Sequence, residues 1–121
     1  MVVAAVNEVL NYTGPNSVNM SSFSSWGPTD DGRIKPDISA KGVNMYSATG
    51  ATGYSNYSGT SMSSPNAAGS ATLLQQHYNN LNGVFMRSST LRGLVLHTAD
   101  EAGTSPGPDY RFGWGLFNTE R

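Results

Sequence analysis

The chain has 121 residues, of which 37% are hydrophobic and 12% are charged, and its formal net charge is -1. A chain of this length is expected to form one compact domain that buries roughly two thirds of the surface of its unfolded state. The nearly neutral charge argues against nucleic acid or a membrane as a partner, and the absence of cysteine excludes disulfides and cysteine-based zinc sites or nucleophiles.

The first half of the chain favours a parallel sheet joined by loops. Residues 2–6 form a nearly unbroken apolar run, which is typical of a strand that is covered on both faces. The run stops at Asn7, so it is too short for a signal-peptide core or a membrane span. Residues 11–35 are dense in Gly, Pro, Asn, Asp and Ser and are predicted to be loops. Further short strands are predicted at residues 37–40, 43–47 and 54–57.

Helices are predicted in the second half of the chain. Residues 61–78 contain good helix formers and predict a helix of about five turns. The apolar positions in its first half are very small residues, namely Ala67, Ala68, Gly69 and Ala71. Because small side chains allow close packing, we expect a central, buried helix. Residues 88–98 predict a second helix with an apolar stripe at i, i+3, i+4 spacing. The fold class is therefore α/β, with a mainly parallel sheet in a single domain.

The segment G-T-S-M-S-S-P-N-A-A-G, residues 59–69, places a serine at the start of the first predicted helix. The free backbone N–H groups of a first helical turn point toward any oxygen near Ser61. Gly59 permits a close backbone approach or an unusual dihedral, and Pro65 sets the helix start close to Ser61. These features suit a nucleophile, which also needs a base and oxyanion donors. They equally suit an ordinary helix start in which Thr60 or Ser61 is the N-cap.

Residues 59–69 are very similar to the nucleophile signature of the subtilisin-like serine proteases, G-T-S-M-[AS]-[ST]-P followed by x-x-A-G. Other segments resemble that family in the same order and at compatible spacings: S-F-S-S-W-G-P at 22–28, D-G-R-I-K-P-D at 31–37, A-K-G at 40–42 and F-G-W-G-L-F-N at 112–118. The resemblance implies a three-layer subtilisin-like fold with a buried central helix that starts near Ser61. It also implies that residues 1–121 are the C-terminal portion of a catalytic domain.

The resemblance further implies roles for four residues of the signature. Ser61 would be the nucleophile, and its own backbone N–H would form half of the oxyanion hole. Thr60 would support that hole from behind. Met62 would pack directly behind the serine, and Ser58 and Met62 would be binding residues.

The remaining members of the family's triad are not found before Ser61, although the triad runs in the order Asp, His, Ser along the chain. No histidine precedes Ser61, and no H-G-T motif is present. The D-D-G at residues 30–32 resembles the family's D-[ST]-G motif only superficially, because it overlaps the D-G-R-I-K-P-D segment. The family's oxyanion asparagine is likewise expected upstream of Met1.

The two downstream histidines are not expected to replace the missing base. His77 lies sixteen residues after Ser61 on the same predicted helix, which places it about 24 Å away. His97 falls in the second predicted helix, where a helix-end or packing role is expected. The chain is therefore expected to be an incomplete, inactive fragment of a secreted serine endopeptidase. The complete parent would cleave peptides or proteins by acyl transfer through Ser61.

A noncatalytic function is the alternative, in which the half-domain acts as a binding or structural module. Its sheet edge and helix face would then be exposed, so we expect the fragment to form a homo-oligomer that covers them. The coding DNA upstream of Met1 discriminates the two hypotheses, because H-G-T and D-[ST]-G motifs there would favour the enzyme.

Three further patterns have simpler explanations. G-T-S-M-S approaches the G-x-S-x-G elbow of α/β-hydrolases, but Ser63 replaces the final glycine. No cofactor is expected apart from calcium, which Asp30, Asp31 and Asp37 could help to bind; salt bridges to Arg33 or Lys35 explain these aspartates more simply. Four aromatic residues could form a carbohydrate or partner surface, although core and turn packing is the simpler explanation: Trp26, Phe112, Trp114 and Phe117.

Overall fold

A computed structural model describes residues 1–120 of the chain. Its elements in chain order are β1 (Val3–Val6), a 3-10 turn (Pro15–Ser17), β2 (Ile38–Lys41), β3 (Met45–Thr49), β4 (Gly53–Tyr57), α1 (Thr60–Asn82) and α2 (Ser88–His97). The α/β class is confirmed, and each predicted strand and helix is present within a few residues of its expected bounds. Within residues 1–120, no helix is long and apolar enough to cross a membrane.

The sheet that positions the first helix is parallel. β1 pairs with β2 in a register that runs from Val3 opposite Ile38 to Val6 opposite Lys41. Leu116 extends this sheet through a single parallel bridge to Ser39. Helix α1 packs against both strands. The strand residues are buried and several are small, so the helix backbone lies close to the sheet.

A second, antiparallel sheet consists of the hairpin β3–β4, which pairs Met45 with Tyr57 and Thr49 with Gly53. All five residues of β4 are exposed. The rings of Tyr46 and Tyr54 stack on one face with their centroids 5.6 Å apart. The parallel arrangement expected from the sequence therefore holds for β1, β2 and the Leu116 bridge alone, because two strands joined by a three-residue turn can only pair antiparallel.

Helix α1 is longer than the sequence predicts. It continues to Asn82 and ends at Gly83, which adopts a left-handed conformation at φ 72° and donates its N–H to the Asn79 carbonyl. The asparagine-rich segment after Tyr78 stays helical, and the Asn82 amide donates to the Tyr78 carbonyl at 2.9 Å. The end of the helix is thus set by the glycine rather than by the first poor helix former.

Helix α1 was expected to be buried, and the structure buries only one of its faces. Ser63 and Ala67 are its buried residues, and both lie toward the parallel sheet. Ala68 and Gly69 are exposed, and a Cβ built on Gly69 meets no atom within 4 Å. The small residues therefore leave an open surface, because no second layer of residues 1–120 covers this side of the helix.

A small core lies around Val6, the last residue of β1. It joins Val6, Val18, Ala102 and Phe112. The packing explanation for the aromatic residues is confirmed for Phe112, which is 4% exposed, but it is wrong for Trp26 and Trp114, which are 56% and 47% exposed. Trp114 lies in a turn, and its N–H donates to the Asp37 carbonyl at 3.0 Å. Trp26 precedes Gly27, whose N–H donates to the Lys35 and Tyr110 carbonyls.

Candidate active site

Ser61 lies at the second position of α1, four residues after the end of β4. The N-cap residue is Gly59, and no side chain caps the helix. The expectation that Thr60 or Ser61 acts as the cap is therefore wrong, because both residues already lie inside the helix. Ser61 is exposed, and its hydroxyl has no hydrogen-bond partner within residues 1–120. The hydroxyl is thus left free for another role.

The first backbone N–H groups of α1 also remain available. Met62 and Ser63 both donate to the Gly59 carbonyl oxygen, at 3.0 and 3.3 Å. The N–H groups of Thr60 and Ser61 have no acceptor within residues 1–120. They lie at the positive end of a 23-residue helix, where partial positive charge accumulates. An oxygen that acquires negative charge beside Ser61 would be stabilised there.

The start of α1 is fixed against the end of β2 through two glycines. The Gly42 N–H donates to the Val6 carbonyl at 3.0 Å, and the Gly59 N–H donates to the Gly42 carbonyl at 2.8 Å. A Cβ on Gly42 would lie 2.7 Å from the Ala5 Cβ and 2.8 Å from the Gly59 oxygen. Only glycine permits this approach. The A-K-G segment therefore packs directly against the segment that carries Ser61 and holds it in position.

The unusual backbone dihedral that the sequence allowed at Gly59 is not observed. Its backbone is extended, with φ 164°. A Cβ there would meet the Met62 Sδ at 3.4 Å, which is an ordinary van der Waals contact. The close approach expected at Gly59 is therefore made by Gly42, which the sequence analysis named only as the last residue of the A-K-G segment.

The other residues of the signature lie around Ser61. Met62 is half-buried, and its sulfur faces Gly59. The Thr60 carbonyl accepts a hydrogen bond from the hydroxyl of the fully buried Ser63 at 3.0 Å. The Ser58 hydroxyl accepts a hydrogen bond from the Asn44 N–H at 2.9 Å, which closes the base of the β3–β4 hairpin. In this structure Ser58 has a structural contact, and its role in binding stays a prediction.

A groove of about 320 Å³ opens beside the start of α1. Thr60 lines one side of it, and exposed apolar side chains, Val2, Phe23 and Trp26, line much of the rest. Lys35 is its only charged lining residue within the described part of the chain. The nucleophile candidate therefore borders a largely apolar depression that is open to solvent.

Neither histidine reaches Ser61. His77 is exposed and lies in α1, sixteen residues after Ser61. The helical rise therefore separates the two residues by about 24 Å. His97 is the last residue of α2 and is exposed, which confirms its helix-end position. Residues 1–120 thus bring no imidazole to the serine, and no proton acceptor is bonded to its hydroxyl.

The aspartates of the D-D-G-R-I-K-P-D segment form ion pairs. Asp31 pairs with Arg33 at 2.7 Å and accepts a hydrogen bond from the Thr29 hydroxyl at 2.6 Å. These hydrogen bonds lower the pKa of Asp31 below its usual value. The salt-bridge interpretation is confirmed for Asp31, which makes the expected pair with Arg33.

Asp37 is buried and makes several contacts. It accepts hydrogen bonds from Lys35 at 2.5 Å, from the Val2 N–H at 2.6 Å and from Arg92 at 3.3 Å. Burial raises the pKa of Asp37, but the Lys35 and Val2 hydrogen bonds and the positive charges of Lys35 and Arg92 outweigh it, and the pKa is lowered. Within residues 1–120 no three His, Cys, Asp or Glu side chains are grouped to hold a metal ion.

The sequence of residues 1–115 matches the subtilase family, peptidase S8. The chain belongs to the subtilase family. The resemblance read from residues 59–69 and the flanking segments is thereby confirmed.

Proteins similar to this subtilase chain include much longer proteinases. The PII-type proteinase of Lacticaseibacillus paracasei is 52% identical over 78 residues, which are 64% of this chain and 4% of that protein. The C5a peptidase of Streptococcus pyogenes serotype M18 (strain MGAS8232) is 49% identical over 63 residues, which are 52% of this chain and 6% of that protein. The chain therefore spans a small part of these relatives.

Solved structures of subtilases match nearly the whole chain. The CspB protease of Clostridium perfringens superposes with a TM-score of 0.76 and 27% identity, over 98% of this chain and 25% of that protein. Sphericase superposes with a TM-score of 0.71 and 26% identity, over 96% of this chain and 39% of that protein. These matches confirm the fold expected for the segment around Ser61.

Proposed function

We propose that this subtilase chain supplies the nucleophile of a serine endopeptidase. Ser61 attacks the scissile carbonyl of a peptide or protein substrate, and the oxygen that becomes negative is stabilised by the Ser61 N–H. Thr60 supports this oxyanion site as its neighbour in the first helical turn. The chemistry needs neither a metal ion nor an organic cofactor, because backbone and side-chain groups perform every step.

The observation that supports this proposal is that the Ser61 side chain is exposed and its hydroxyl makes no hydrogen bond within residues 1–120. Serine at a helix start normally bonds to the backbone of its own first turn. Here the Ser61 hydroxyl makes no such bond, two adjacent N–H groups are free, and Gly42 holds the turn in place. An unbonded hydroxyl beside two unbonded N–H donors provides the nucleophile and the oxyanion donors for acyl transfer, but not the base.

The base and its orienting carboxylate come from outside these residues in the proposed enzyme. During acylation the Ser61 proton passes to that base, which then protonates the leaving amine while an ester forms at the Ser61 oxygen. Water then hydrolyses the ester and restores the serine hydroxyl. Met62 and Ser58 flank the reacting atom as binding residues. The isolated chain is therefore inactive.

An extracellular location belongs to the same proposal. The low proportion of charged residues and the abundance of Ser, Asn, Gly and Thr support it. Its substrates would be extracellular peptides or proteins, and nucleic acids and membranes are not among the partners we propose.

A chimera tests the proposed function. This chain would replace the matching quarter of the C. perfringens CspB protease, which contributes the remainder of a subtilase domain. We expect the chimera to hydrolyse a peptide substrate and Ser61→Ala to abolish the activity. Ser64→Ala, an exposed neighbour in the same helix, is the matched control and should remain active. A folded chimera that is equally active with and without the Ser61 hydroxyl would refute the proposal.

A second candidate function is a noncatalytic module that self-associates. Four large apolar side chains at the C-terminal part of α1 and just beyond it favour this hypothesis, since each is more than half exposed: Leu73, Leu81, Val84 and Phe85. Exposed apolar surface of this kind is commonly covered by another protein surface. A homo-oligomer would cover it with a second copy of the chain.

A further inference from the structure

The guanidinium of Arg111 lies between two aromatic rings on the side of the molecule that carries the F-G-W-G segment. Its central carbon is 5.0 Å from the centre of the Trp26 ring and 5.5 Å from that of Phe112. Phe112 is buried, whereas Trp26 is 56% exposed. Contacts with ring faces restrain the long arginine side chain while its N–H groups stay free at the edge of the plane.

Arg111 has no acidic partner within residues 1–120. Four of the other cationic side chains are paired with carboxylates: Arg33, Lys35, Lys41 and Arg92. No described group accepts a hydrogen bond from the Arg111 guanidinium. An arginine that is held by its rings yet has unused donors is preorganised to bind an external anion.

The turn that carries Arg111 is hydrogen-bonded internally and to Gly27, the residue that follows Trp26. The Asp109 carboxylate accepts hydrogen bonds from the Arg111 and Phe112 N–H groups at 2.8 and 2.7 Å. The Gly27 N–H donates to the Tyr110 carbonyl at 2.8 Å. These hydrogen bonds hold the backbone of Arg111 next to the backbone that carries Trp26, which favours the contact between the two side chains.

A groove of about 630 Å³ lies beside this pair. Polar side chains provide further donors and acceptors along it, namely Asn16, Asn19, Thr104 and Ser105. Arg111 and Asp109 are its charged residues within the described chain. The groove shares Trp26 and Gly27 with the depression beside Thr60 but has otherwise different walls, so it is separate from the Ser61 site.

We propose that this groove binds a carboxylate-bearing peptide side chain, with Arg111 as a bidentate donor and Trp26 packed against the ligand. A carboxylate matches the planar fork of a single arginine and carries one negative charge. The Asp109 carboxylate would repel a phosphate with two charges more strongly than a carboxylate with one, and only one cation compensates. In this proposal the carboxylate is an Asp or Glu side chain, and the amide and hydroxyl groups along the groove would bond to the polypeptide backbone beside it.

Trp26 provides a direct reporter for the binding test. The full chain carrying Trp114→Phe retains Trp26 as its single tryptophan and is titrated with N-acetylglutamate amide. Its uncharged analogue, N-acetylglutamine amide, and inorganic phosphate are titrated in parallel. We expect a saturable change in Trp26 fluorescence with the glutamate compound and little change with the other two. An equal response to the glutamine compound or to phosphate would overturn the proposal.

Substitutions at Arg111 separate bidentate binding from general charge attraction. Arg111→Gln should weaken binding of N-acetylglutamate amide by about ten- to hundredfold, and Arg111→Lys should restore only part of it. Arg87→Gln is the matched control, because Arg87 is also exposed and lacks an ion pair among residues 1–120 but makes no ring contact. The assignment would be contradicted if Arg111→Gln, with its fold intact by circular dichroism, bound N-acetylglutamate amide as tightly as the chain without this substitution.

Discussion

The Gly59 amide donates a hydrogen bond to the Gly42 carbonyl at 2.8 Å, and this contact joins the end of the parallel sheet to the start of α1. It places Ser61 over the carboxyl ends of β1 and β2. The position of the candidate nucleophile therefore depends on how closely two backbone segments approach, rather than on side chains that surround the hydroxyl.

Gly42→Ala should destabilise the protein, because its new methyl group would overlap the Ala5 Cβ and the Gly59 oxygen. We expect a loss of about 1–3 kcal/mol in the free energy of unfolding, measured by urea denaturation. Gly69→Ala is the matched control: its methyl group meets no atom, so it should stabilise the helix by about 0.5–1 kcal/mol. The close-approach explanation fails if the two substitutions change stability equally.

Asp37 should make stability depend on pH in the acid range. Its pKa in the folded state is below the usual aspartate value of 3.8. Its contribution is therefore fully present above pH 3.8 and is lost as the pH falls through the folded pKa. Asp37→Asn should lower stability near neutral pH by about 1.5–3 kcal/mol, since it removes charge-assisted hydrogen bonds to a buried group.

Chemical denaturation across the acid range measures this effect. Asp37→Asn should show a flatter dependence of unfolding free energy on pH than the parent chain. Asp31→Asn is the control, because Asp31 also pairs with a cation but is fully exposed, and it should leave the stability nearly unchanged. Parallel pH profiles for the parent and Asp37→Asn would show that Asp37 is not the group responsible.

Ser58→Ala should loosen the base of the β3–β4 hairpin. The substitution removes the acceptor of the Asn44 N–H, and Asn44 has a left-handed backbone with φ 52°. We expect faster hydrogen exchange at the Asn44 amide and a loss of about 1 kcal/mol in stability. Ser55→Ala, in the same exposed hairpin, should change neither, because no side-chain bond of Ser55 is present. Unaltered exchange at Asn44 would exclude the structural role of Ser58.

The exposed apolar face of α1 should drive self-association. Size-exclusion chromatography with light scattering should detect oligomers of the isolated chain at micromolar concentration. The double substitution Leu73→Gln and Leu81→Gln should shift the chain toward the monomer, since both leucines are about 70% exposed. The paired control is Gln76→Ala, a polar residue of the same helix. A clean monomer of the parent chain would contradict this prediction.

The sequence identified the helix start and the serine because both depend on local signals. The G-T-S-M-S-S-P segment combines a glycine, a proline and small residues that restrict where a helix can begin. The family resemblance then assigned roles to Ser61 and Thr60 that no periodic pattern could supply. Without that resemblance, the residue types alone did not distinguish a catalytic role for Ser61 and Thr60 from a helix-capping role.

Long-range contacts could not be predicted in the same way. A Cβ on Gly42 would meet Ala5, Gly59 and Ser63, all far from Gly42 in the sequence, so no local pattern predicts the close approach at this glycine. The exposure of Trp26 likewise depends on where residues 109–113 return to the fold. Its pairing with Arg111 is visible only when both turns are placed in three dimensions.

The central claim is that Ser61 is a nucleophile whose proton acceptor lies outside this chain. A fluorophosphonate probe followed by peptide mass spectrometry tests it directly, since the probe labels serines that a base has activated. The CspB chimera should carry the adduct on Ser61, whereas the isolated chain should carry none. Rapid stoichiometric labelling of Ser61 in the isolated chain, or an active chimera with Ser61 unlabelled, would contradict the account.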